Sequence, residues 1–165
     1  MTVAAPDTLW TAANELLAAA VDALQDNSLR VPEHLLISWH APAWDCCDHL
    51  GVYVDDVQPN SASSSAQEGR VAAVPGTVTQ GNVILTFVGC AAVGDPIPTD
   101  DAIRDNAHTM YRYGWVLYQE LICRRYAGTL FSGGTCTIVR IGKLSPRPPQ
   151  GGCESFTITF TLEFS

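Results

Sequence analysis

The first apolar pattern in the chain recurs every three or four residues, which is typical of one face of an α-helix. The residues that make up this pattern are Leu9, Ala13, Leu16, Leu17, Ala20 and Leu24. Asp7 or Thr8 is well placed to cap the start, because a short polar side chain there accepts hydrogen bonds from the first backbone N–H groups. We therefore predict a helix that ends near Asp26 and Asn27 and whose alanine-rich face lies close against a sheet.

The pattern changes to a period of two after an irregular stretch. Residues 31–47 predict no regular element, since Pro32 and Pro42 interrupt it. In residues 50–55, apolar side chains alternate with Gly51, Tyr53 and Asp55, which predicts the first strand. Residues 83–90 form a dense run of β-branched and other apolar side chains, which predicts a central strand.

A second and longer helix should follow Thr99, whose side chain is a suitable N-cap. Asp100 and Asp101 then lie where the helix dipole favours negative charge, and Gly128 is a natural C-terminal stop. The apolar face that we predict for this helix consists of Ile103, Ala107, Met110, Tyr111, Gly114, Leu117, Tyr118, Leu121 and Ile122.

The end of the chain predicts two more strands. Residues 136–144 form the third strand, and residues 145–152, with three prolines and two glycines, form a turn or loop. In residues 156–164 large apolar side chains alternate with threonines and Glu163, so this strand has one apolar face and one threonine face. The predicted fold is a single α+β domain over residues 1–165, with a mainly antiparallel four-stranded sheet and both helices on one face, in the order α-β-β-α-β-β.

A polar stretch at residues 59–81, rich in serine, glycine and proline, separates the first two predicted strands. Unstructured connections of this length are usually functional or disordered. We consider two interpretations, a mobile hairpin tip and an arm that orders against a neighbouring subunit, and the mildly apolar residues 71–74 favour the arm. The candidate interface residues are Asn60, Ser63, Gln67, Glu68, Arg70, Val71 and Val74.

Charged residues make up 16% of the chain, well below the share of roughly a quarter that is usual in globular proteins. A weakly polar surface suits a subunit that hides much of that surface in interfaces, and we prefer this interpretation to a monomer with a Ser/Thr-rich surface. The net charge of −8 opposes tight binding to the DNA backbone, although acidic walls would let DNA slide through a conduit. Asp55 and Asp56 are the candidate channel-facing acids.

The strongest chemical signal is the cluster of Cys46, Cys47, Asp48 and His49, with His40 upstream. Adjacent cysteines in a strand point to opposite faces, and zinc ligands are usually spaced by two to four residues, so we predict no metal and no cofactor. A Cys47–His49 pair, or any cysteine with His108, could form a nucleophile and base, but nothing in the sequence brings them together. No secretory signal or bilayer-spanning stretch is evident, so we expect an intracellular protein with mostly reduced thiols. The sequence contains no Gly-x-Ser-x-Gly, Walker or His-Glu-x-x-His motif, so we expect no enzymatic activity.

The chain resembles the tail terminator proteins of long-tailed bacteriophages (siphoviruses), in the form found in phages of actinobacteria. Three features carry the resemblance: the Ala-Trp-Asp-Cys-Cys stretch at residues 43–47 leading into the strand at residues 50–54, the helix introduced by Pro98-Thr99-Asp100, and the alternating strand at residues 156–164. The resemblance covers nearly the whole chain.

The resemblance implies a homohexameric ring at the neck of the virion, assembled in the host cytoplasm. Such a ring caps the tail tube protein, joins it to the head-completion or stopper protein and leaves a channel through which DNA passes without specific binding. The family has no catalytic residues to carry over. The alternatives are another connector protein, an adaptor or a stopper, and a thiol or zinc-dependent enzyme that uses the Cys46–His49 region.

Overall fold

A computed structural model describes residues 6–41, 48–59, 79–92, 97–132, 136–150 and 152–164 of the chain. These residues form two helices and five strands: α1 (Pro6–Asp26), β1 (His34–Ser38), β2 (His49–Pro59), β3 (Thr79–Cys90), α2 (Asp100–Tyr126), β4 (Thr137–Gln150) and β5 (Cys153–Phe164). The α+β class predicted from the sequence is confirmed. The first helix ends at Asp26, where the apolar pattern ends.

The sheet has five strands in the order β1-β2-β3-β5-β4, so the prediction of four strands is wrong. The additional strand is β1, which pairs with β2 in parallel, while the other three pairings are antiparallel. The sequence pattern does not predict β1 because Leu35, Leu36 and Ile37 are a short apolar run without alternation. Pairing with residues 50–52 of β2 decides its structure, and this partner lies well beyond any local window.

Two connections predicted from the sequence are shorter in the structure. β4 continues through Pro146, Pro148 and Pro149 to Gln150, where residues 145–152 were expected to form a turn or loop. Proline is tolerated there because β4 is an edge strand, and Pro148 and Pro149 lie at an irregularity in its pairing with β5. The polar connection is also shorter than residues 59–81, because β2 extends to Pro59 and β3 begins at Thr79. Residues 60–78 lie outside the described residues.

Both helices contribute to one hydrophobic core against one face of the sheet. β5 sends alternate residues into this core, and the buried set comprises Phe156, Ile158, Phe160, Leu162 and Phe164. Five alanines of α1 are also buried in it, namely Ala12, Ala13, Ala19, Ala20 and Ala23. Their small side chains let α1 approach its neighbours closely, as the alanine-rich face predicts.

The ends of α2 agree with the sequence signals. The Thr99 hydroxyl accepts a hydrogen bond from the backbone N–H of Ala102 at 3.2 Å. At the other end Gly128 has a φ of +69°, and its N–H donates to the carbonyl oxygen of Arg125 at 3.1 Å. Only Gly114, Leu117 and Leu121 of α2 are fully buried. The predicted apolar face is therefore wider than the buried one, since α2 packs over the sheet along a narrow line.

Candidate interaction surfaces

An apolar groove with a volume of about 230 Å³ lies between the first half of α1 and the end of β1. We call it the α1–β1 groove, and it is lined by Leu9, Trp10, Ala13, Ile37, Ser38, Trp39 and Val54. Two large aromatic side chains stand at its rim, with Trp10 57% and Trp39 65% exposed. Trp39 directly follows the last residue of an edge strand, so among the described residues no further strand covers it.

A second groove, of about 240 Å³, lies between the outer side of α2 and the edge strand β4. We call it the α2–β4 groove, and it is lined by Ala107, Met110, Tyr111, Gly114, Leu144, Pro146, Arg147, Glu154, Ser155 and Phe156. Gly114 allows the close approach of helix and strand, because a Cβ atom there would come within 3.1 Å of the Leu144 side chain. The Tyr111 ring at the groove is stacked on the ring of Trp115, with centroids 6.2 Å apart.

The two grooves are at opposite edges of the same sheet. β1 and β4 are the outermost strands, with β2, β3 and β5 between them. At roughly 5 Å per strand spacing, the two edges are on the order of 20 Å apart. Each groove is built partly from a helix of the common core, so both open on the helix-bearing side of the sheet.

Charge is distributed unevenly along the chain. β4 carries Arg140, Lys143 and Arg147 and no acidic residue. Residues 6–59, which form α1, β1 and β2, contain nine acidic residues and a single basic one, Arg30. Arg30 is itself paired with Asp48 at 2.8 Å. The edge strand β4 is therefore basic, whereas the edge strand β1 carries neither an acidic residue nor a lysine or arginine.

The cations of β4 are not used in ion pairs within the described part of the chain. Arg104 pairs with Asp101 on the same helix. Arg124 joins the two helices by pairing with acidic residues of α1, Asp22 at 3.5 Å and Asp26 at 3.2 Å. Arg125 donates to the carbonyl oxygens of Ile138 and Val139 and so holds the start of β4 against α2. Its side chain thus supports the edge strand.

The face of the sheet opposite the helices is rich in threonine. Thr86 and Thr157 are directly opposite each other in β3 and β5, and both are buried. The Thr161 hydroxyl donates to the side-chain oxygen of Asn82 at 2.9 Å. The threonine face predicted for the last strand is therefore present in the structure, and hydrogen bonds between strands satisfy part of it.

Asp55 and Asp56 lie within β2, at an irregularity of its pairing with β3. A bulge of this kind interrupts the regular alternation of side chains between the two faces of the sheet. Asp55 is exposed, and Asp56 is half-buried. On the same strand, burial raises the pKa of the Tyr53 phenol above 10.0, and the Asp55 carboxylate adds to this rise. Arg147 acts in the opposite direction on the pKa of Tyr53. Asp55 thus affects the protonation of a tyrosine on its own strand.

The other predicted residues are partly beyond what the structure describes. The seven candidate interface residues Asn60, Ser63, Gln67, Glu68, Arg70, Val71 and Val74 lie outside the described residues, as do Cys46 and Cys47. His49 is buried, and its ring lies 4.8 Å from that of His34. His108 is exposed on α2, as expected for a residue away from the apolar face. Among the residues that the structure describes, no group of three or more His, Cys, Asp and Glu side chains could hold a metal ion.

The sequence interpretation missed the aromatic residues that dominate both grooves. Trp10 falls outside the apolar period of α1, and Tyr111 was assigned to the buried face of α2, whereas it is 62% exposed. The available signal was the spacing of Tyr111 and Trp115, which lie four residues apart and therefore on one side of the helix. Whether that side of α2 is buried depends on the position of β4, which the sequence pattern does not give.

Neither helix in the described part of the chain is long and apolar enough to cross a lipid bilayer. No protein-family model matches the sequence, and no curated protein matches it either.

Proposed function

We propose that the protein is a structural subunit of a phage virion that assembles with copies of itself into a ring. In this proposal the ring is a homohexamer at the neck, which caps the tail tube and joins it to the head-completion or stopper protein. DNA passes through its channel without specific binding. The resemblance to tail terminator proteins, over the features at residues 43–54, 98–100 and 156–164, supplies this context.

The observation that best supports a self-assembling subunit is the presence of exposed aromatic grooves at both edges of one sheet. Trp39 is 65% and Tyr111 62% exposed, and burial of a single such ring removes a large apolar area from water. Large aromatic side chains are enriched at contacts between proteins, where they are removed from water. A ring subunit needs two such patches, one for each neighbour.

The mass and shape of the purified full-length protein test this proposal. Native mass spectrometry should give a single mass that is an integer multiple of the 17.7 kDa chain mass. Negative-stain images should show rings with a central opening. An antibody against the chain should label virions at the junction of head and tail. A protein that stays monomeric at high concentration, or label at the capsid or the tail tip, would contradict the proposal.

The capping role has its own test. If the ring ends tube growth, a phage that lacks the protein should produce tail tubes of variable length, because nothing then stops the addition of tube subunits. Complementation with the wild-type gene is the control and should restore tails of uniform length. Tubes of normal length without the protein would indicate another connector role, that of an adaptor or a stopper.

A further inference from the structure

We infer that Cys90 and Cys153 are a modification site, at which an oxidant of the disulfide class converts their two thiols into a disulfide bond between β3 and β5. The two residues form the last pair of the antiparallel ladder between these strands. Cys90 is exposed and Cys153 is half-buried, so a small oxidant can reach them. The site belongs to a single copy of the chain and does not depend on the proposed assembly.

The hydrogen bonds of the ladder determine how close the two cysteines come. The N–H of Ala91 donates to the carbonyl oxygen of Gly152 at 2.8 Å, directly beyond the pair of Cys90 and Cys153. Hydrogen-bonded and non-hydrogen-bonded pairs alternate along an antiparallel ladder, so the two cysteines are a non-hydrogen-bonded pair. The Cα atoms of such a pair are about 4.5 Å apart, which lies within the range of roughly 4.4–6.8 Å that disulfides span.

Two other pairs of the same ladder show that opposite side chains meet across it. The rings of Phe87 and Phe156 are stacked with their centroids 5.2 Å apart. The Thr161 hydroxyl donates to the side-chain oxygen of Asn82 at 2.9 Å. The ladder has no shift in register between Asn82 and Cys90, which are an even number of residues apart, so their pairs are of the same class. The cysteine side chains are therefore as close to each other as those of a pair that is in contact.

Both cysteines lie on the face of the sheet opposite the helices. Phe87 and Phe156 point into the core that the helices cover, and each cysteine is three residues from one of them along its strand. Cys123 belongs to α2, on the other side of the sheet, and Cys136 is buried. Within the part of the chain that the structure describes, each member of the pair thus has the other as its nearest partner for a disulfide.

The reaction with a small disulfide such as oxidised glutathione takes two steps. The thiolate of Cys90, the more exposed residue, attacks one sulfur of the oxidant, whose S–S bond breaks and which releases one molecule of glutathione. The thiolate of Cys153 then attacks the Cys90 sulfur of this mixed disulfide, the bond between the two cysteines forms, and a second glutathione leaves. The two protein thiols are oxidised, and their two electrons and two protons end on the two molecules of reduced glutathione.

The bond closes a long loop of the chain that contains α2 and β4. A cross-link of this kind reduces the conformational freedom of the unfolded chain, and it raises stability where the folded geometry accepts it without strain. Reducing compartments keep such thiols reduced, whereas oxidising surroundings maintain the bond. The reduced thiols expected of an intracellular protein are therefore compatible with a disulfide that forms once the folded chain meets an oxidant.

Peptide mapping of the purified full-length protein tests the bond directly. The protein is incubated with oxidised glutathione, blocked with N-ethylmaleimide and digested with trypsin without reduction. Trypsin does not cleave between Arg147 and Pro148, so Cys90 falls on the peptide 71–104 and Cys153 on the peptide 144–165, each without another cysteine. We expect mass spectrometry to find these two peptides joined, at a mass lower than their sum by two hydrogen atoms.

Three serine substitutions assign the bond to this pair. Cys90→Ser and Cys153→Ser should each abolish the joined peptides and leave glutathione on the remaining cysteine of the pair. Cys123→Ser is the matched control, because Cys123 is also exposed but lies on α2. This control should form the joined peptides to the same extent as the wild type.

Thermal unfolding measures whether the bond fits the fold. The oxidised wild type should have a Tm above that of the reduced protein by on the order of 5 °C or more. Dithiothreitol should reverse this rise, and the Cys123→Ser control should show the same behaviour. The Tm of Cys90→Ser and of Cys153→Ser should not rise with the oxidant, because neither variant can form the bond.

Three results would overturn the inference. Glutathione on both cysteines of the wild type without joined peptides would mean that the two thiols do not reach each other. A link from the peptide 71–104 to a peptide other than 144–165 would assign Cys90 to a different partner. Joined peptides without a rise in Tm would mean that the bond strains the sheet, against the spacing that the ladder gives. All three are read independently of the oligomeric state, which tests the proposed ring.

Discussion

Phe160 lies in the middle of β5, has no exposed surface and packs within the core shared by both helices. We expect Phe160→Ala to lower the free energy of unfolding by about 3–5 kcal/mol, because it removes buried apolar area and leaves a cavity. Urea denaturation followed by circular dichroism measures the loss. Tyr126→Ala is the control and should change stability by less than about 0.5 kcal/mol, as exposed positions usually do. A small loss for Phe160→Ala would contradict its central place in the core.

Tyr53 provides a prediction about pH. Burial and the Asp55 carboxylate raise the pKa of its phenol above 10.0, while Arg147 lowers it. A raised pKa means that the folded state favours the neutral phenol, so this contribution to stability is present below pH 10 and is lost as the pH rises through the folded pKa. Asp55→Asn should therefore lower the pKa of Tyr53, and Arg147→Gln should raise it.

Absorbance at 295 nm, which follows tyrosinate formation, measures both shifts. Subtracting the titration curve of Tyr53→Phe from each parent isolates the phenol of interest from the other tyrosines. The two substitutions must act in opposite directions if the positions of the charges are correct. Shifts of the same sign, or none in either variant, would mean that Asp55 and Arg147 do not face Tyr53.

At the scale of elements, the start of α2 depends on its cap. We expect Thr99→Ala to lower the free energy of unfolding by about 1 kcal/mol, because the N–H of Ala102 loses its acceptor. Thr109→Ala is the matched control, since Thr109 is exposed within the same helix and alanine is favoured there. Thermal and urea denaturation should therefore show a loss of stability for Thr99→Ala and a much smaller loss, or a gain, for Thr109→Ala. Equal losses of stability in the two variants would mean that the cap contributes nothing specific.

The position of the two edge strands in the sheet determines which aromatic side chains are available for contact. β1 has five residues and β4 has three prolines, which are features that protect edges from indiscriminate pairing. The aromatic side chains beside these two strands are exposed because, among the described residues, no further strand lies outside either edge. The exposure of Trp39 and Tyr111 therefore depends on the order of the strands in the sheet, and the residues next to them in the chain do not determine it.

At the scale of the whole molecule, the polar stretch between β2 and β3 remains a predicted contact with a neighbouring ring or subunit. Deleting residues 61–67 should leave the unfolding midpoint nearly unchanged, because the free energy of closing a long connection depends only weakly on its length. The same deletion should impair ring formation or joining to the tail tube. Circular dichroism measures the first effect, and native mass spectrometry with virion assembly in complementation assays measures the second.

A glycine–serine replacement of residues 61–67 at constant length is the control for this deletion. If both variants fail to assemble, the side chains of the stretch matter, and failure of the deletion alone indicates that its length matters. Unchanged assembly and infectivity in both would show that this stretch makes no contact that the virion needs. That result would leave the two grooves as the surfaces that account for self-association.

Charge is distributed unevenly over the whole molecule, and this asymmetry also bears on the predicted channel. Asp55 and Asp56 belong to the acidic half of the chain, on the strand next to β1. If they line a channel, reversing both charges should slow DNA passage, because cations on the wall would hold the phosphate backbone. Virions that carry both substitutions should then eject DNA more slowly than wild type, and wild-type infectivity would remove the idea.

The sequence by itself determined the elements whose signals are local. The periods of α1 and α2, the caps of α2 and the alternation of β5 appear in the structure because capping and periodic burial involve neighbours only a few residues away. The predicted cap of α1 at Asp7 or Thr8 is wrong, because the helix already includes both residues. The tertiary structure alone decided the strand β1, the continuation of β4 through its prolines and the exposure of Tyr111. Each of these depends on a partner distant in sequence, since pairing and burial are set by which strands become neighbours and which become edges.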